Sequence, residues 1–287
     1  FIDVSNTDNL VGEVNSSNSF IGPKNNDRVG VGGVTALSNG TYVINSYDWD
    51  SEDGINNVGA ITWINSSIID NVTGTVTSNN SLVGSKLNDK IGLNGLSALE
   101  NGNYTVASSQ WDDSKGAVTW VDISNSESLI GIVSSFNSLV GSKSFDRVGS
   151  NGVTVLSNGN YVVSSNFWDN EDIFSAGAIT WVEGSTGIAG EIDSSNSLVG
   201  IESYKQIGKA GVIALSNGNY VVISTIWSYG NRENLGAVTW GDGLTGTTGL
   251  IDSNNSIIGS TVDDQLGSGG ITALSNGNYI IASPNWN

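Results

Sequence analysis

One phrase recurs along the chain and limits what it can fold into. It reads ALSNGTY ending at Tyr42, ALENGNY at Tyr104, VLSNGNY at Tyr161, and ALSNGNY at both Tyr220 and Tyr279. The turn glycines Gly40, Gly102, Gly159, Gly218 and Gly277 return with a period of about 59 residues, the mark of a repeat architecture. Asn-Gly between two β-rich runs predicts an antiparallel hairpin, with positive φ at both central residues of a type I′ turn. Two more phrases keep the same period. GAITW or GAVTW ends at Trp63, Trp120, Trp181 and Trp240, and SFIG, SLVG or SIIG begins at Ser19, Ser81, Ser138, Ser197 and Ser256. The first supplies a third strand. The second, with the alternating segment before it, supplies a fourth and the link onward. No cap followed by a long apolar stripe of helical period is present.

Four short antiparallel strands per unit predict an all-β fold, a five-bladed β-propeller of four-stranded repeats forming a single domain over residues 1–287. The blades are expected at roughly 29–84, 91–141, 148–200 and 207–259, with a last one made of 266–287 plus 1–22. That last blade follows from FIDVSNTDNLVGEVNSSNSFIG at the N-terminus, which aligns with WVDISNSESLIGIVSSFNSLVG from Trp120, while the C-terminus holds only a hairpin. Strands from the two termini are therefore expected to share one blade and close the ring, leaving no edge to aggregate. A parallel β-helix is disfavoured by the local hairpins. A single immunoglobulin-type sandwich does not accommodate five near-equal units.

Composition narrows the function. Twenty-eight acidic against ten basic residues give a net charge of −18, which repels nucleic acid and anionic membrane surfaces. Neither nucleic acid nor membrane insertion is expected. Cysteine and histidine are both absent, which removes disulfides, thiolate metal sites and the commonest general base. Only 13% of the residues are charged, so the polar surface is mostly Asn, Ser and Thr, as suits an extracellular or cell-surface protein.

Several side chains are candidates for binding. Trp63, Trp120, Trp181 and Trp240, at the ends of the third strands, are expected to wedge between blades. Trp49, Trp111, Trp168, Trp227 and Trp286 follow the second strands, beside loops such as YDWDSEDG and FWDNED. Packing is one reading of this second set. The other is ligand binding at the loops, with exposed rings stacking on sugars and Asp50, Asp112 and Asp169 as hydrogen-bond partners. Asp27, Asp89, Asp146 and Asp264 precede a glycine in four units, and Lys205 breaks the series in the other. They are read as acceptors for backbone N–H groups. Asp48, Asp50, Glu52 and Asp53 form the best calcium candidate, though their spacing misses the EF-hand pattern and no cofactor is expected. The inner strands GVTAL, GLSAL, GVTVL, GVIAL and GITAL carry no carboxylate, so the paired acids of a propeller glycosidase are missing and an enzyme is not expected.

The units SLVGS…DRVGSNGVTVLSNGNYVVSSNFWDN…AGAITWVEGSTG resemble repeats of large secreted bacterial proteins of the filamentous-haemagglutinin-like adhesin type. More distantly, DDQLG, ITALSNGNY, IIASP and GAVTW fall in the order of an FG-GAP blade of integrin-type propellers. The carboxylates of that family's calcium loop are replaced here by Ser-Asn-Gly-Asn. The resemblance implies a non-catalytic extracellular repeat module serving as a structural or display scaffold. The alternative is a multivalent, lectin-like propeller. The expected partners are cell-surface glycans or neighbouring copies of the same protein.

Overall fold

The computed structural model describes residues 13–65 and 73–287. Among them the fold is all-β, built of repeated antiparallel sheets. In the third unit the strands are Val153–Val155, Tyr161–Ser165, Ala178–Val182 and Leu198–Val199. Val153 pairs with Val163, Tyr161 with Val182, and Ala178 with Val199. The units that start at Val34, Leu96 and Val212 repeat this meander. The one segment among the described residues with helical hydrogen bonding, Trp111–Ser114, holds left-handed residues at Asp112 and Asp113 and is a tight loop.

A fifth strand, not foreseen from the sequence, ties successive sheets together. The segment between the third and fourth strands of one unit reaches back to the outer strand of the sheet before it. Gly131–Ile132 runs parallel to Leu82–Val83, Gly190–Glu191 to Leu139 and Val140, and Gly249–Leu250 to Leu198–Val199. The outer strands of the first three sheets are thereby covered rather than left open.

The strands are apolar on both faces because each inner sheet is sandwiched between two others. Tyr161 and Val163 meet Leu99, Ala107, Val118 and Leu139 of the preceding unit. Val162 points the other way, into a cluster with Tyr220, Val222 and Trp227 of the next. The large apolar clusters thus lie between neighbouring sheets, and stability is a sum of interfaces. At the last hairpin the pattern stops. Val43, Val162 and Val221 are fully buried, a gain of roughly 1.5–3 kcal/mol each, while Ile280 at the same position is 57% exposed.

The hairpin turn differs from the type I′ expectation. Gly40, Gly102, Gly159, Gly218 and Gly277 have positive φ, but the asparagines before them do not. Gly159 N–H donates to Leu156 O at 3.1 Å, and Leu156 N–H to Asn160 O at 2.8 Å. The loop therefore has three residues, a type I turn followed by a left-handed glycine. The asparagine side chain accounts for its own conformation. Asn39 Oδ1 accepts the Thr41 N–H and hydroxyl, holding Asn39 out of the left-handed region.

The phrases of the repeat also pair through hydroxyls. Thr62–Ser81, Thr119–Ser138, Thr180–Ser197 and Thr239–Ser256 each sit 2.7 Å apart, joining GAVTW to SLVG across the third and fourth strands. Each serine also donates to a neighbouring asparagine; Ser197 gives its proton to Asn196 Oδ1, so Thr180 is the donor in the pair.

The inner strands run side by side from unit to unit. Glu100, Leu156, Leu215 and Leu274, from four successive units, line one cavity of about 520 Å³. Ser157 Oγ donates to Leu215 O and Ser216 Oγ to Leu274 O, stitching consecutive units along this inner line.

The expected shared terminal blade is not formed by the described strands. Phe20–Ile21 pairs only with Gly74–Thr75, and the hairpin of Ile271–Ala273 and Tyr279–Ile281 is a separate two-stranded sheet. Among the described residues, neither terminal strand pairs with the other. The third strand expected from Phe1 lies outside the described residues.

Tyrosines in the second strands carry a consequence for alkaline pH. Burial pushes the Tyr104 and Tyr161 phenols above their ordinary value and Tyr220 up to about 12. The unfolded chain ionises first, so stability present below pH ~10 is lost as pH rises further. The Tyr104 hydroxyl is also buried without a hydrogen-bond partner among the described residues. Tyr104→Phe is expected to leave the melting temperature at pH 7 unchanged or raised, and to flatten its fall above pH ~10. A melting series from neutral to alkaline pH checks both.

Candidate functional site

The loops after the second strands hold the tryptophans singled out above, and their burial favours packing over the sugar-stacking alternative. Trp49, Trp111, Trp168 and Trp227 are buried, and only Trp286 is exposed, at 61%. Trp168 lies in the cluster between the second and third units, Trp227 in that between the third and fourth. Four of the five rings proposed to stack on sugars thus present no face to solvent. The tryptophans of GAVTW, expected as wedges, are the half-exposed set. Trp240 is 44% exposed, and Trp63, Trp120 and Trp181 are intermediate. Their indole N–H groups are anchored: Trp120 Nε1 donates to Gly184 O at 3.1 Å and Trp181 Nε1 to Gly243 O at 3.0 Å, each bridging to the next unit.

The loop aspartates shape the backbone. Asp50 Oδ1 accepts Asn57 N–H at 2.7 Å, and Asp169 Oδ1 accepts Ser175 N–H at 2.6 Å. Asp112 pairs with Lys115 at 2.9 Å and with Lys86. Burial raises its carboxyl, but the two ammonium groups outweigh that and hold it below the ordinary value.

The periodic aspartates behave as read from the sequence, as backbone acceptors. Asp89 Oδ2 takes the N–H groups of Ser85 and Lys86, both at 2.8 Å, and Oδ1 takes that of Asp112 at 3.0 Å. Asp146 does the same with Lys143 and Asp169. Each therefore fastens the loop before its unit's inner strand to the loop that carries the tryptophan. In the fourth unit Lys205 occupies this place and pairs with Glu233, which also accepts the Ser228 hydroxyl at 3.2 Å.

Burial raises the Asp89 carboxyl above its ordinary value, partly offset by the backbone donors that favour the charged form. The folded state thus holds its proton to higher pH than the unfolded one, and this group's contribution falls as pH rises through that interval. Asp89→Asn leaves one oxygen for three N–H groups and is expected to cost about 1–3 kcal/mol at pH 7. The loss widens in acid, because the contribution of the native aspartate grows as the pH falls and the amide has no such titration. Urea unfolding at the two pH values measures it.

The calcium candidate does not assemble. Asp48 is buried between Arg28 at 2.7 Å and Lys90 at 3.0 Å, so its charge is already matched. Asp50 is turned to Asn57, and Glu52 Oε1 accepts Ser78 N–H at 2.9 Å. Among the described residues no three acidic side chains gather into a group that holds a cation. No helix of the described residues is long and apolar enough to cross a membrane.

One groove combines a half-exposed ring with polar groups. It lies between the second and third units, holds about 380 Å³, and is lined by Trp120, Asp122, Glu127, Ser128, Phe136 and Thr186 among others. Sequence reasoning assigned Trp120 a packing role and passed over Phe136. The available signal was that Phe136 breaks the period.

No curated protein matches the chain. A family model matches at residues 4–31, 36–93, 98–150, 155–209, 214–268 and 273–287. The match supports a repeat protein and does not bear on the haemagglutinin-like adhesin or FG-GAP resemblance. The matches number six, where the sequence reading counted five units, because the partial stretches at the two ends each match separately rather than as halves of one blade. With nearly the whole chain so matched, the protein belongs to the family described as a repeat of unknown function, DUF5650.

Proposed function

We propose that the chain is a non-catalytic structural module whose sheets are blades of a propeller-like array, serving as a scaffold that extends by adding units end to end. The observation that carries this reading is the location of the apolar clusters, which lie at junctions between consecutive sheets, together with the apolar faces at the two ends. At the last junction Ile257 is 53% exposed, while its counterparts Leu82, Leu139 and Leu198 are buried. At the first, Phe20, Val29, Val34 and Ile44 line an open cavity of about 480 Å³. These are the two halves of an interface already made inside the chain, and a second copy stacked head to tail completes it. The charge-poor, Asn- and Ser-rich composition supports an extracellular or cell-surface setting.

Sedimentation velocity over a concentration series tests this. The expected result is association that grows with concentration and is abolished by Ile280→Lys, with the fold retained by circular dichroism. A chain that stays monomeric throughout, or an Ile280→Lys variant that associates as before, overturns the reading.

A further inference from the structure

We propose that the groove between the second and third units is a single saccharide-binding site, formed by Trp120 and Phe136 with the carboxylates of Asp122 and Glu127. It is distinct from the loop tryptophans and independent of end-to-end assembly.

Phe136 is the first observation. It is 94% exposed, the most exposed of the large apolar side chains. The same position in the other units holds Ser17, Asn79, Ser195 and Asn254, each polar. A phenyl ring fully in water contributes little to folding, so packing does not account for this departure from the repeat. Exposed apolar groups beside polar ones in a concave site are the ordinary makings of ligand recognition.

Trp120 is the second. Its N–H is held by Gly184 O, and one part of the ring lies against Gly187, where a Cβ would come within 2.6 Å of the ring. The ring is therefore fixed in direction while remaining half-exposed. A pre-positioned ring loses little entropy on binding.

The polar lining is the third. Asn137 is spent, accepting from Ser134 and Ser138 and donating to Ile132 O. Asp122 Oδ1 is spent on Ser124, while Oδ2 and the Glu127 carboxylate make no hydrogen bond among the described residues. Ser128 Oγ accepts Asp122 N–H and keeps its proton to give. Free acceptors beside aromatic faces match a neutral pyranose, whose C–H face lies on the rings while its hydroxyls donate to carboxylates. The volume of about 380 Å³ is at the small end of ligand sites, which suits one or two sugar residues. A negatively charged sugar is excluded by the same two carboxylates.

The next junction is a built-in control. Trp181 is anchored on Gly243 O and lies against Gly246 as Trp120 lies against Gly187, but Ser195 replaces the second ring. The test is titration of the isotope-labelled full chain with the methyl β-glycosides of glucose, galactose, mannose and N-acetylglucosamine, following the indole N–H signals of Trp120 and Trp181 by NMR. One or more of these is expected to give a saturable shift at Trp120 in the millimolar range and none at Trp181. Phe136→Ser is expected to weaken binding about tenfold at an unchanged melting temperature. No saturable shift with any of the four, an equal shift at Trp181, undiminished binding in Phe136→Ser, or a Trp120 shift produced by calcium chloride but by no sugar would each overturn the proposal.

Discussion

Gly116→Ala is expected to destabilise the protein by roughly 3–5 kcal/mol, in the range reserved for changes that force backbone apart. Gly116 opens the third strand of its unit with φ of +79°, a left-handed conformation that costs an L-residue about 1–2 kcal/mol. Space is the larger problem. A Cβ at Gly116 would stand 2.2 Å from Val148 N, which belongs to the next unit and is itself held by Lys115 O at 3.0 Å. A backbone atom cannot rotate away as a side chain does, so the junction must open. The same approach recurs at Gly59 against Ile91, Gly177 against Ile207 and Gly236 against Leu266. Gly152 supplies the comparison: its φ is +84°, but a Cβ there would meet nothing within 4 Å. Gly152→Ala should therefore cost only about 1 kcal/mol, the conformational part alone. Denaturant unfolding of both variants measures the difference. Equal losses would mean that the close passage between units does not exist.

Trp168→Ala is expected to cost about 3–5 kcal/mol, as for other fully packed aromatic rings. The ring is 4% exposed and contributes to the cluster shared by the second and third units. Its removal opens a cavity at an interface rather than in a central core. The loss should therefore show as faster amide exchange in the strands on both sides of that junction, with the fourth unit affected less. Trp286→Ala, by contrast, should change stability by less than about 0.5 kcal/mol, since its ring is 61% exposed. Trp168→Phe should fall between them. The Trp168 indole N–H is buried with no partner among the described residues, so losing it removes a desolvation cost that partly offsets the smaller ring. Similar losses at positions 168 and 286 would show that the loop tryptophans are not the interior set.

Much of the local structure was legible because it depends on neighbours in the chain. The five hairpins were marked by a glycine and a polar turn between β-branched runs, and they stand where the sequence put them. The role of Asp89 and Asp146 was equally readable, because a carboxylate just before a turn finds backbone N–H groups within a few residues. The turn type was misread. Asn-Gly is compatible with two hairpin geometries, and the choice was made by Asn39 Oδ1 bonding to Thr41 rather than by the dipeptide itself.

What lay outside the sequence's reach was every decision made between units. The sequence by itself determined the strands, the hairpin positions and the period, since these follow from backbone sterics and local hydrogen bonds. Only the tertiary structure decided which tryptophans are interior. One set lies in the third strands and the other follows the second strands, but both carry the same ring, and burial depends on whether a neighbouring sheet covers that side. The same holds for Gly131–Ile132 pairing with the previous sheet and for Ile280 remaining exposed. A repeat specifies its interfaces in halves, and each half acquires an inside and an outside only when the next unit is set against it.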